Sequence, residues 1–60
     1  MKDKHAIAQA MIEHGGSFAH YIGKALLHAD PDNEAILAKA FKRLIKKYRA
    51  LSRMLKEEAV

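Results

Sequence analysis

Lys39, Lys42, Lys46, Arg49, Arg53 and Lys56 recur at intervals of 3, 4, 3, 4 and 3 residues, and Arg43 and Lys47 broaden the series. On an α-helix that spacing gathers the cations on one side. A rigid rod of Lys and Arg suits the phosphate backbone of nucleic acid, where binding is driven by charge and indifferent to sequence. The same face would also serve as a solvated surface that keeps a small helical protein dispersed. No Asn or Gln lies on the stripe, so the bidentate readout of bases has less support. The candidate nucleic-acid contacts are Lys39, Lys42, Arg43, Lys46, Arg49 and Arg53.

The rest of the chemistry is narrowed by exclusion. The absence of cysteine rules out disulfides and thiolate metal sites. His20 and His28 stand eight residues apart with Lys24 between them, whereas helical zinc sites favour an i, i+4 pair, and a lysine there repels a cation. His14 is better explained by the negative end of a helix dipole. Ser17 has His14 and His20 within three residues, but a nucleophilic triad also needs a pocket and an oxyanion site. A hairpin and a rod supply neither. The sequence therefore predicts no catalysis, no metal and no cofactor.

The charge is unevenly spread. Residues 1–34 carry three Lys against five acids, whereas residues 35–56 carry eight Lys or Arg and no acid. The question of partners is a question about the last third of the chain. No apolar run approaches the roughly 20 residues that span a bilayer. The opening Met1-Lys2-Asp3-Lys4-His5 leads into a polar-faced helix and not an apolar signal core, which predicts a cytoplasmic protein without membrane contact.

The elements that hold these residues are helical. Eleven Ala, a single Val and no Thr favour helix over strand. The first predicted helix spans about residues 3–14, with Ile7, Met11 and Ile12 on one face. His14-Gly15-Gly16-Ser17-Phe18 then reads as stop, turn, cap and anchor. Gly15 takes the left-handed residue that closes a helix, Gly16 the reversal and Ser17 the next cap. The second helix covers about 17–29, with Phe18, Ile22 and Leu26 inward. Gly23 in its interior costs about 1 kcal/mol against Ala, so it marks a close helix approach. Reading this pair as a helix-turn-helix, with Ser17, His20, Tyr21 and Lys24 offered to a groove, has weaker support than a plain hairpin.

Asp30 caps the third helix with Pro31 in its first position, or Asp32 caps it two residues further on. No breaker follows, so this helix is expected to run over about 31–58, roughly 40 Å. Leu37, Phe41, Leu44, Tyr48, Leu51 and Leu55 repeat at heptad spacing within it. The short hairpin, at about 18 Å per helix, covers only its first half. Tyr48, Leu51, Met54 and Leu55 are then left as a self-association seam, most simply of a homodimer.

The string His14-Gly15-Gly16-Ser17-Phe18, with Leu26, Ala29-Asp30, Asn33, Leu37, Ala40-Phe41 and Tyr48, resembles a family of very small phage- and prophage-encoded helical proteins. The resemblance covers roughly residues 5–48 and implies an origin, and with it residence in a bacterial host's cytoplasm. It implies no particular activity. Here the chain departs from the pattern in the basic run after Phe41 and in its residues after Tyr48. Residues 1–60 are thus expected to form one all-α domain, a small three-helix bundle of a hairpin packed on a long third helix. The predicted core is Ile7, Met11, Ile12, Phe18, Ile22, Leu26, Leu37, Phe41, Leu44 and Ile45. The expected function is a non-enzymatic interaction module that self-associates and binds a host or phage protein, with nucleic-acid binding as the alternative.

Overall fold

The computed structural model describes residues 1–58, so the last two positions of the single-domain assignment lie outside the described residues. Four helices follow one another: α1 (Lys4–His14), α2 (Ser17–His28), α3 (Pro31–Ala40) and α4 (Lys42–Glu58). No strand occurs among the described residues. The all-helical expectation holds. The long third helix does not, because it is divided at Phe41.

Phe41 takes φ −114° and ψ 36°, outside the helical well, and closes α3 by donating its N–H to the Leu37 carbonyl at 2.9 Å. Its own carbonyl accepts from Ile45 N–H at 2.9 Å and so opens α4. Neither glycine nor proline dictates this break. Tertiary packing overrides local propensity here. An unbroken rod of about 40 Å would carry residues 45–58 away from the hairpin. With the break, Ile45 and Tyr48 are buried, and Leu44 and Leu51 pack against the same core. α4 lies along α1, and its contact with α3 is the smaller of the two.

The core is centred on α1. Ile7, Ala8 and Met11 have no exposed surface, nor does Leu26 of α2, and Ala10 and Ala19 are also buried. Of the predicted core, Ile7, Met11, Leu26 and Ile45 are buried, while Ile22, Leu37, Phe41 and Leu44 are half-buried against them. Ile12 is half-buried as well. Phe18 is a correction: it is 63% exposed. It opens α2, ahead of the residues that meet α1.

Two glycines are there for space. A Cβ on Gly23 would stand 2.8 Å from the Ala8 carbonyl oxygen and 2.8 Å from the Met11 Cβ, so α1 and α2 nest through this position. A Cβ on Gly15 would stand 2.5 Å from both the Ala19 Cβ and the Met11 carbonyl oxygen, and 3.2 Å from the Tyr48 hydroxyl. Gly15 is extended (φ −82°, ψ 157°), and no residue among those described has positive φ. The left-handed closure expected of it does not occur; close approach explains the glycine instead. Nor is Ser17 the cap. Gly16 holds that position at φ −69°, ψ −178°, without a side-chain hydrogen bond, and Ser17 is the first residue of α2.

The next junction follows the sequence closely. Ala29 and Asp30 are extended, as a following proline requires. The Asp30 carboxylate accepts from Asn33 N–H at 2.8 Å, Pro31 opens α3, and Asp32 and Glu34 occupy its positive end.

The three glycine positions should respond differently to substitution. Gly23→Ala gains about 1 kcal/mol of helix propensity. It forces an overlap of the kind that costs about 1–3 kcal/mol, because the opposing atoms are backbone and a Cβ. Urea unfolding should show net destabilisation of about 1 kcal/mol, and Gly15→Ala should also destabilise. Gly16→Ser meets nothing within 4 Å and supplies a capping hydroxyl. It should be neutral or stabilising by about 0.5 kcal/mol. Equal losses at all three positions would refute this assignment of space.

Candidate nucleic-acid interface

The basic series is carried mainly by α4, and the break at Phe41 divides it. Around α4, Lys42, Lys46, Arg49, Arg53 and Lys56 fall within one narrow arc, which borders the arc that buries Ile45 and Tyr48. Arg43 and Lys47 lie to one side of that arc. Lys39 belongs to α3 and joins the series only at the junction. There Lys39, Lys42 and Arg43 border an open cleft of about 450 Å³ together with Phe18 and Phe41.

A second hollow runs between α3 and α4. This open groove of about 840 Å³ has small and apolar residues, Ala35, Ala38, Ile45 and Ala50, among its lining. Lys42, Lys46, Arg49 and Arg53 supply its cations, and Glu34 its acid. Met1 closes the end of the groove near Glu34.

Two carboxylates beside the row, Asp3 and Glu34, are already engaged. The Arg49 Nε donates to Asp3 Oδ2 at 3.1 Å, tying the start of α1 to the middle of α4. Partial desolvation pushes the Asp3 carboxyl up. The Arg49 hydrogen bond, the backbone N–H and the charges of Arg49 and Arg53 outweigh it and leave the group below its ordinary value. Glu34 accepts from the Met1 ammonium at 2.9 Å, and its other oxygen stands 3.4 Å from Lys4 Nζ. The Met1 hydrogen bond is the largest influence on Glu34; desolvation opposes it, Lys4 reinforces it, and the net shift is downward. Lys4 also donates to the Ala29 carbonyl at 3.0 Å, fastening α1 to the α2–α3 junction.

Among the described residues, Lys39, Lys42, Arg43, Lys46, Arg53 and Lys56 form no ion pair. Lys42, Arg43, Lys46, Arg53 and Lys56 are exposed. Lys47 Nζ stands over the Tyr48 ring, 5.6 Å from its centre. Of the six predicted nucleic-acid contacts, the structure thus ties down Arg49 alone.

The predicted seam is largely taken up within the chain. Tyr48 is 6% exposed, Leu51 and Leu55 are half-buried, and Met54 alone of the four is open, at 56%. This corrects the premise that the hairpin cannot reach the second half of the basic helix. Once α4 folds back, α1 covers it.

The histidines serve the frame or the surface. His20 Nδ1 lies 3.0 Å from the Ile12 carbonyl, bridging α2 to α1, and His14 stands 3.9 Å from Glu13 on the surface. No group of three His, Asp or Glu among the described residues is placed to hold a metal ion. No helix among them is long and apolar enough to cross a membrane. The sequence places Phe18 in the core, but it is exposed at 63%, as is Tyr21, at 66%, which only the helix-turn-helix reading turns outward. The signal available was the helical position of Phe18, at the edge of the face of α2 that buries Ala19, Gly23 and Leu26.

Comparison with protein-family models, with curated proteins and with solved structures finds no match to this chain.

The lowered Asp3 and Glu34 carboxyls make an acid-side prediction. Each contributes stability that is fully present above the ordinary carboxylate range and is lost as pH falls through its folded-state value. The urea midpoint should hold from neutral pH down to that range and then decline. Asp3→Asn combined with Glu34→Gln should lower the neutral-pH midpoint and make the acid limb shallower. An acid limb of unchanged steepness in the double variant would contradict it.

Proposed function

We propose that this chain is a non-enzymatic binding module that takes the phosphate backbone of nucleic acid on the cationic face of α4. One observation carries the reading: Lys42, Lys46 and Arg53 lie exposed along one side of the helix, while Asp3 is held by Arg49, Glu34 by Met1 and Lys4, and Glu57 and Glu58 follow only at the helix end beyond Lys56. Coulombic attraction for a polyanion is therefore strongest over Lys42 and Lys46. Consecutive members of the row stand three or four residues apart, a rise of about 4.5–6 Å, so neighbouring phosphates can be met by neighbouring side chains. Phosphate contacts of this kind position a ligand without reading its sequence. The phage or prophage origin suggested by His14-Gly15-Gly16-Ser17-Phe18, and residence in a bacterial cytoplasm, belong to the same proposal.

A second reading rests on Met54, 56% exposed, and the half-buried Leu55 beside it. In that reading the module pairs through the end of α4 with a second copy or with a host or phage protein. Phosphate binding is preferred because burial of Tyr48 leaves that apolar patch small.

The two readings separate under charge reversal. Binding of a labelled oligonucleotide at low salt should be lost in Lys42→Glu/Lys46→Glu. In the unaltered chain, log affinity should fall linearly with log salt, by about 0.7 per phosphate neutralised on a single strand and 0.9 on duplex. Failure to bind any oligonucleotide at low salt, or a double variant that binds as before, would overturn the proposal.

A further inference from the structure

Phe18 and Tyr21 are the two most exposed aromatic side chains, and they sit one turn apart on α2, so their Cβ atoms are about 5–6 Å from each other. A lone exposed apolar side chain needs no explanation. These two differ in how they are held. The Phe18 ring is met edge-on by Phe41, with centroids 5.7 Å apart and planes at 64°. The Tyr21 ring is met edge-on by His20, at 5.0 Å and 83°. His20 is itself fixed by the Ile12 carbonyl. Each exposed ring is thus braced on one side and has much of its surface in solvent.

Cations stand beside both. The cleft beside Phe18 is bordered by Lys39, Lys42 and Arg43, with no acid in its lining. Lys42 is also the first cation of the α4 row. Lys24, exposed, follows Tyr21 by one turn of α2. Braced aromatic rings with cations beside them combine the two features that hold single-stranded nucleic acid: ring stacking for bases and charge for phosphates. Duplex offers no free base face to such a platform.

We infer that the ligand is single-stranded nucleic acid, with a base stacked on Phe18 and a neighbouring one on Tyr21, while its phosphates follow Lys39, Lys42 and Arg43 onto α4. This deepens the phosphate-binding proposal and rests on it. The double glycine gains a purpose beyond the turn, since ending α1 there lets α2 begin with Phe18 outside the core.

The test is fluorescence anisotropy at low salt with three probes: an oligothymidylate, an abasic strand of equal length and a duplex of equal phosphate count. The unaltered chain should bind the oligothymidylate about a hundredfold more tightly than the abasic strand, the scale of two stacked bases. Phe18→Leu keeps an apolar side chain at an exposed position and should reduce that difference about tenfold, the share of one base, without changing abasic-strand affinity. Phe18→Tyr should retain it. Equal affinity for base-bearing and abasic strands, preference for duplex, or a difference undiminished in Phe18→Leu would overturn the inference while leaving phosphate binding intact. No binding to any of the three would overturn both.

Discussion

The close approach of α1 to α2 governs this fold. At Gly23 the helices are separated by less than a methyl group would need, since a Cβ there would stand 2.8 Å from the Ala8 carbonyl oxygen. That proximity leaves Ile7, Ala8 and Met11 without exposed surface in a chain too short for a deep interior. The second narrow point, Gly15, lies against Ala19 and the Tyr48 hydroxyl. It lets the hairpin accept α4 as well. The core is thus made of small residues at contact points and a few fully buried large ones, an economical arrangement for a domain of this size.

The break at Phe41 follows from that core. Because α1 still has a face to cover, folding α4 back buries Ile45 and Tyr48 and half-covers Leu51. The heptad spacing that reads as an intermolecular seam is, in its first turns, an intramolecular one. Covering α1 with one side of α4 turns the bordering side, with Lys42, Lys46, Arg53 and Lys56, to solvent. Burial and charge display are thus two aspects of one helix orientation.

Much of this was legible in the residues. Asp30-Pro31 fixes a helix start by cap chemistry and restricted φ, and both act locally. The glycine turn was found where a glycine pair predicts one, although Gly15 serves by leaving room and not by a left-handed backbone. Gly23 was legible for the same reason: an interior glycine in a helix needs a compensating contact. The Phe41 break was hidden because Lys39-Ala40-Phe41-Lys42 contains no breaker, and the cause lies in packing between residues far apart in sequence. Phe18 was misplaced because hydrophobicity alone cannot tell a core anchor from a displayed ring. Of the candidate interface, the cation row was visible as spacing, whereas the aromatic cleft required the break that brings Phe41 to Phe18.

The most direct test of this account is a nuclear Overhauser spectrum of the unaltered chain at dilute concentration, examined at Tyr48 and across residues 37–45. The account predicts contacts between the Tyr48 ring and Gly15, with the helical pattern interrupted at Phe41. An unbroken helical pattern through residues 37–45, with no Tyr48–Gly15 contact, would contradict it: α4 would then not fold back onto α1.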